Sequence, residues 1–133
     1  MKVTADTNVL VRAAVLDEPS QAERAAALLR DAELIVVTLP TLCEFAWVLR
    51  GAYRWTARDI FGFIRSLIAS PAVRADQPAV EAGLAMLDAG GDFADGVIAF
   101  MGRQMGGMVF ASFDRKAVAL VAAAGGETLL LEA

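Results

Sequence analysis

The chain of 133 residues has no histidine and a single cysteine. Without imidazole, neither histidine-based acid–base catalysis nor a Ser-His-Asp triad is open to it. One cysteine excludes an intrachain disulfide. Cys43 lies in the apolar stretch TLCEFAWVL with no imidazole to activate it, and reads as a small buried hydrophobe. Long apolar runs are missing too. The longest charge-free stretches, Leu34 to Cys43, Gln104 to Phe113 and Ala117 to Gly126, cover ten residues each, against about 20 for a membrane-spanning helix. The N-terminus reads as a strand ending in an acid and not as a signal segment. No membrane association and a cytoplasmic location are therefore expected. Positive charge is also scarce. A net charge of −4 gives no basic footprint for tight nucleic-acid binding, so any such substrate must be engaged locally.

What the chain does have is apolar bulk, at 57% hydrophobic residues. That is high for a lone domain, and surplus apolar surface is most naturally covered by a partner chain. The length suits one domain over residues 1–133. Lys2 to Asp6 reads as a short buried strand and Leu34 to Thr38 as a strand covered on both faces. Val73 to Asp76, Met108 to Phe113 and Thr128 to Leu131 are further strands. Helices are expected from Thr7 or Asn8, from about Ser20 to Arg30, and from Pro40 to Tyr53. Others follow from a Thr56 cap to Pro71, from about Pro78 to Ala89, from Asp92 to the Gly106-Gly107 pair, and from Asp114 to Ala124. The alternation predicts an α/β fold, a three-layer sandwich with a mostly parallel central sheet.

Four carboxylates sit in apolar sequence: Asp6 in KVTADTNVLV, Glu44 in TLCEFAWVL, Asp95 in DFADGVIAF and Asp114 in MVFASFDRKAV. Apolar surroundings strip hydration from a carboxylate, which then needs a cation, hydrogen bonds or a proton. Two such charges about 5 Å apart repel by about 3 kcal/mol at an effective dielectric near 20. With no histidine and one cysteine, the ion that would relieve this is hard and oxygen-loving, such as Mg²⁺ or Mn²⁺. Asp6 and Asp114 end strands and precede helices, which places them at the carboxyl edge of a sheet. Each also suits a plain helix N-cap. Asp92 reads mainly as a cap, and Asp95, sharing a side with Ile98 and Ala99, is expected to face inward. Glu44 has apolar neighbours and Val48 at i+4, so its helix offers it no ion-pair partner.

The segments DTNVLVR (Asp6 to Arg12), PTLCEFAWVLRGAY (Pro40 to Tyr53), DFADGVIAFMG (Asp92 to Gly102) and SFDRKA (Ser112 to Ala117) occur in an order that resembles the PIN-domain nucleases. The closest resemblance is to the VapC-type toxins of bacterial toxin–antitoxin pairs. It covers almost the whole chain. It implies a sheet flanked by helices and an acidic quartet, Asp6, Glu44, Asp95 and Asp114, holding Mg²⁺ or Mn²⁺. Asn8 matches the polar residue two positions after the first acid. Asp92 is a possible supporting group, and Ser112 stands where many relatives have threonine. Gly96 stands where alanine is commoner, a change expected to loosen the helix start slightly.

The resemblance further implies an endoribonuclease in which a metal-activated water attacks RNA and leaves a 5′-phosphate and a 3′-hydroxyl. Asp6 and Asp95 are expected to bind the metal directly, with Glu44 and Asp114 completing the shell. Arg12, Arg50, Arg54 and Arg115 are candidates for RNA phosphate contacts. Trp47, Tyr53 and Trp55 are possible stacking surfaces, with Trp47 expected to pack in the core. A small cognate antitoxin and a homodimer are the implied protein partners. Two rival readings stand beside this one. An aspartate-nucleophile phosphohydrolase would want a second aspartate where Asn8 stands, or a late lysine that Lys116 fits poorly. A catalytically silent α/β binding module would use the same acids only as caps.

Overall fold

The computed structural model describes residues 1–132. Among them are seven helices and five strands, with parallel pairing throughout. The α/β class is the one expected, and every expected element is present with ends displaced by a few residues. The chain divides into two compact units, Met1–Gln77 and Pro78–Ala133. Hydrogen bonds gather the strands into a three-stranded and a two-stranded sheet. Among the described residues, no helix is long and apolar enough to cross a membrane.

The first unit contains β1 (Lys2–Thr4), α1 (Thr7–Ala14), α2 (Pro19–Asp31), β2 (Leu34–Val36), α3 (Leu39–Gly51), α4 (Ala57–Ala69) and β3 (Val73–Arg74). Its strands follow chain order, with Val3 beside Ile35 and Ile35 beside Val73. Parallel neighbours need long crossovers, and the helices supply them. The central strand is the apolar run, and Ile35 is fully buried. Leu10, Leu42, Phe45, Leu49, Ile60 and Ile64 are likewise buried, each contributing about 1.5–3 kcal/mol. The Phe45 and Phe63 rings pack with centroids 5.1 Å apart.

Polar signals set the helix ends. Pro19 opens α2, where its missing N–H costs nothing. The Thr56 hydroxyl accepts the Asp59 N–H at 3.1 Å and caps α4. Beyond α3, the Trp55 N–H donates to the Leu49 carbonyl at 2.9 Å. The chain makes this turn through Arg54 at φ +58°, a left-handed conformation that costs a residue with a Cβ about 1–2 kcal/mol.

The second unit contains α5 (Gln77–Asp88, opening at the unit boundary), α6 (Phe93–Gln104), β4 (Val109–Ser112), α7 (Arg115–Ala123) and β5 (Glu127–Leu130). Helix α7 packs on both strands. Ala111 pairs with Leu129 in the β4–β5 register. Val109, Phe113, Leu129 and Leu131 are all exposed, although parallel strands are ordinarily covered on both faces.

Gly96 corrects an expectation. Far from loosening the helix start, it lets α6 approach α5. A Cβ there would collide with the Ala82 carbonyl oxygen and lie 2.7 Å from the Met86 Cβ. Backbone cannot yield as a flexible side chain does. Gly96→Ala is therefore expected to destabilise the protein by about 1–3 kcal/mol despite alanine's better helix propensity. Urea or thermal unfolding would show it, and an unchanged midpoint would contradict the close approach.

Candidate functional site

Asp6 and Asp114 occupy equivalent corners, one in each unit: a strand ends, an aspartate turns the chain, and a helix begins. Asp6 has extended backbone, and its Oδ1 accepts the Thr7 N–H at 2.8 Å. The Oδ1 of Asp114 accepts the N–H groups of Lys116 at 2.9 Å and Ala117 at 3.1 Å. The capping reading thus holds for both, and such a cap is worth about 1 kcal/mol. It does not exhaust them. All these bonds fall on Oδ1, so among the described residues Oδ2 of each carboxylate has no hydrogen-bond donor. The Ser112 hydroxyl, at the end of β4, accepts the Asp114 N–H at 3.0 Å. It thereby fixes the backbone that carries the acid.

Strands β1 and β2 are parallel neighbours, so Asp6 and the start of α3 share the carboxyl-terminal rim of the first unit's sheet. Helix α1 packs against α3. Glu44 lies about 8 Å along α3 from its first residue. Apolar sequence around Glu44 does not mean burial. Leu42, Phe45, Ala46 and Leu49 form the covered face of α3, while Glu44 is exposed. Trp47, one turn further, is 77% exposed. The expected core packing of Trp47 is therefore wrong. Its spacing from Glu44 puts the indole on the open side of the helix. Asp6 and Asp114 are exposed as well, because strand and helix ends open toward solvent. Cys43 is half-buried rather than enclosed, and that burial raises its thiol pKa.

Asp95 is the carboxylate partly withdrawn from water. Its pKa is raised, first by burial, then by the negative charges of Asp92 and Asp114. A first-turn position should favour negative charge through the helix dipole, yet desolvation and repulsion prevail. The inward face of α6 is formed by Phe93, Gly96 and Val97, and Asp95 lies beside it. Ile98, expected to point inward with Asp95, is 56% exposed. Asp92 takes the N-cap position, but among the described residues its side chain makes no capping hydrogen bond. It serves instead as a neighbouring negative charge.

Within each unit, the described Cys, Asp and Glu side chains form no group of three or more close enough to hold a metal ion. The donors on offer are carboxylate oxygens, several of them exposed. That chemistry, together with the repulsion at Asp95, fits a hard divalent cation. Asn8 is exposed on the first turn of α1 and lines a shallow groove between α1 and α2 with Arg12 and Arg24. Arg12 pairs with Asp17 at 2.9 Å and Arg115 with Glu132 at 3.1 Å. Arg50 and Arg54 are exposed, and among the described residues neither has an acidic partner. Tyr53 and Trp55 are partly covered, the latter edge-on to Phe63 at 6.3 Å.

The PIN-domain family model matches residues 3–123. With nearly the whole length matched, this chain belongs to the PIN-domain family. PIN domains are typically nucleases and generally use divalent metal ions. No curated protein matches the chain.

The raised pKa of Asp95 has a sign that can be checked. The folded state keeps this proton to a higher pH than the unfolded state does. Stability therefore falls as pH rises from the unfolded value through the folded one, and the penalty is complete above both. In EDTA, Asp95→Asn should melt at a higher temperature than the parent at pH 7, and the gap should close by about pH 3. A variant that melts lower at pH 7 would mean that helix-dipole attraction outweighs the repulsion.

Proposed function

We propose that this PIN domain is a metal-dependent endoribonuclease, a VapC-type toxin working in the cytoplasm against a cognate antitoxin. The observation that carries the reading is Asp95, a carboxylate destabilised by burial and by Asp92 and Asp114 in a chain of nuclease family. Such an arrangement lowers stability, and repelling carboxylates of this kind are what a cation would relieve. Asp6, Glu44, Asp95 and Asp114 are the residues proposed to hold Mg²⁺ or Mn²⁺, with Asp6 and Asp95 as direct ligands. Bound there, the ion would supply acidity to water and offset charge building on a phosphate. The chain's own part is positional. Ser112 steadies Asp114, Asn8 and Asp92 flank the first and third acids, and the exposed Glu44 orients the attacking water. Arg50 and Arg54 are free for RNA phosphates. Arg12 and Arg115 would first leave surface ion pairs worth about 0–1 kcal/mol each.

The family match runs across the boundary between the units, which supports reading residues 1–133 as one catalytic domain. Two features support protein partners. An apolar cleft of about 430 Å³ in the second unit is lined by Ala82, Met86, Phe100, Leu120 and Val121, with Arg103 beside them. It would suit the tail of a small antitoxin. The exposed Val109, Phe113, Leu129 and Leu131 would suit the interface of a homodimer. The capping bonds of Asp6 and Asp114 are also all that one rival, a silent binding module, would require of these acids.

A nuclease assay separates the readings. With Mg²⁺ or Mn²⁺, single-stranded RNA should be cut to products with 5′-phosphate and 3′-hydroxyl ends. Asp6→Asn and Asp95→Asn should each slow cutting by roughly 100-fold or more. The same ions should raise the melting temperature of the parent protein, and raise that of Asp95→Asn less. RNA left intact with both ions and no melting shift would sink the nuclease and leave the capping module. Cutting by Asp6→Asn at the parental rate would refute the residue assignment.

A further inference from the structure

We infer that Trp47 is a stacking platform for an unpaired base of the RNA substrate, an inference resting on the ribonuclease reading above. The indole is 77% exposed, an unusual state for a side chain whose burial is so favourable. It projects one turn beyond Glu44 on the open side of α3, so a strand lying on the indole also passes the proposed catalytic acid. What surrounds it decides between partners. A protein interface centred on tryptophan is ordinarily ringed by apolar residues and depleted of charge. Here the exposed residues of α3 and the turn after it are Pro40, Glu44, Arg50, Gly51, Ala52 and Arg54. Arg50 follows Trp47 by three residues, on the adjoining part of the helix surface.

Arg54 adds a second cation at the end of α3, in the left-handed backbone conformation that glycine would adopt more cheaply. A lone aromatic with two arginines that have no acidic partner among the described residues is the arrangement that holds single-stranded nucleic acid. The arginines track the phosphates, and the ring takes the face of a base without regard to sequence. It also answers the charge problem of a chain with net charge −4. The affinity is gathered locally rather than over a basic surface. Duplex RNA, whose bases are stacked on one another, has no free face to offer.

The test uses the full chain in EDTA, so that RNA is bound and not cut, with a fluorescein-labelled oligouridylate followed by anisotropy. Trp47→Ala should weaken binding by at least about fivefold, the small end of what one stacked base contributes. Trp47→Phe should retain most of the affinity, and the parent's tryptophan emission should be quenched by RNA. Arg54→Gly should weaken binding without lowering the melting temperature, since glycine suits that backbone. In the Mg²⁺ assay, Trp47→Ala should raise KM and leave kcat nearly unchanged. Parental affinity and KM in Trp47→Ala overturn the inference while the nuclease stands. Conversion of a parental dimer to a monomer by Trp47→Ala overturns it in favour of an interface between copies. A parent that neither binds nor cuts RNA removes both this inference and the function beneath it.

Discussion

A carboxylate in partly dry surroundings that also feels other negative charges must be neutralised or must endure them, and Asp95 in the second unit is such a group. Asp95 is half-covered on the first turn of α6, with Asp92 three residues before it and Asp114 near enough to raise its pKa. The helix dipole cannot fully compensate. A cation can, because a dication attracts each carboxylate more strongly than the carboxylates repel one another. The surrounding structure preserves the conflict instead of relieving it. Gly96, next to Asp95, lets α6 close on α5, and Ser112 pins the turn that presents Asp114. Both are favourable contacts, and they fix the backbone on either side of acids whose mutual repulsion is left in place.

Much of this could be read in the residues. The apolar run at Leu34 became the central strand of its sheet, Thr56 capped its helix, and Pro19 opened another, because each signal acts locally through backbone hydrogen bonds. The capping roles of Asp6 and Asp114 were legible for the same reason. Burial was less so. Trp47 and Ile98 are apolar residues on helices rich in apolar residues, and sequence around them could not say which stripe would face outward. In α3 the apolar positions run almost all the way round, so the covered side is chosen by what packs there, here Phe45 and Leu49. The indole three residues from Glu44 was left on the other side. Gly96 failed in the opposite sense. Propensity judges it a poor helix residue, but tertiary contact with Ala82 decides its value.

The exposure of three of the four acids also changes why the quartet matters. Apolar neighbours in sequence suggested carboxylates starved of water, yet Asp6, Glu44 and Asp114 remain open to it. Their oxygens are open to solvent and accessible as donors to an ion. Asp6 and Asp114 each use Oδ1 at a helix N-terminus and, among the described residues, keep Oδ2 unengaged. A cap is a useful way to build a ligand, since the backbone N–H bonds fix the carboxylate plane before any ion arrives. Capping and metal binding are therefore not alternatives at these corners. The first positions the group that the second would use.

The same economy applies to substrate. With twelve Lys and Arg residues against sixteen Asp and Glu, the chain cannot attract a nucleic acid by its total field, and the proposed acidic site would repel phosphate at close range. On the proposed reading, something must hold the strand near the acids without adding many positive charges. An exposed ring does this at little electrostatic cost, because stacking depends on the base and not on the phosphate. The proposed platform lies on the helix that carries Glu44, so a strand gripped by the ring would be kept near that acid without being positioned for the chemical step. Two arginines on the same helix and the turn beyond it then suffice to steer the backbone. An acidic protein handling an acidic polymer is no contradiction when recognition is concentrated in so few side chains.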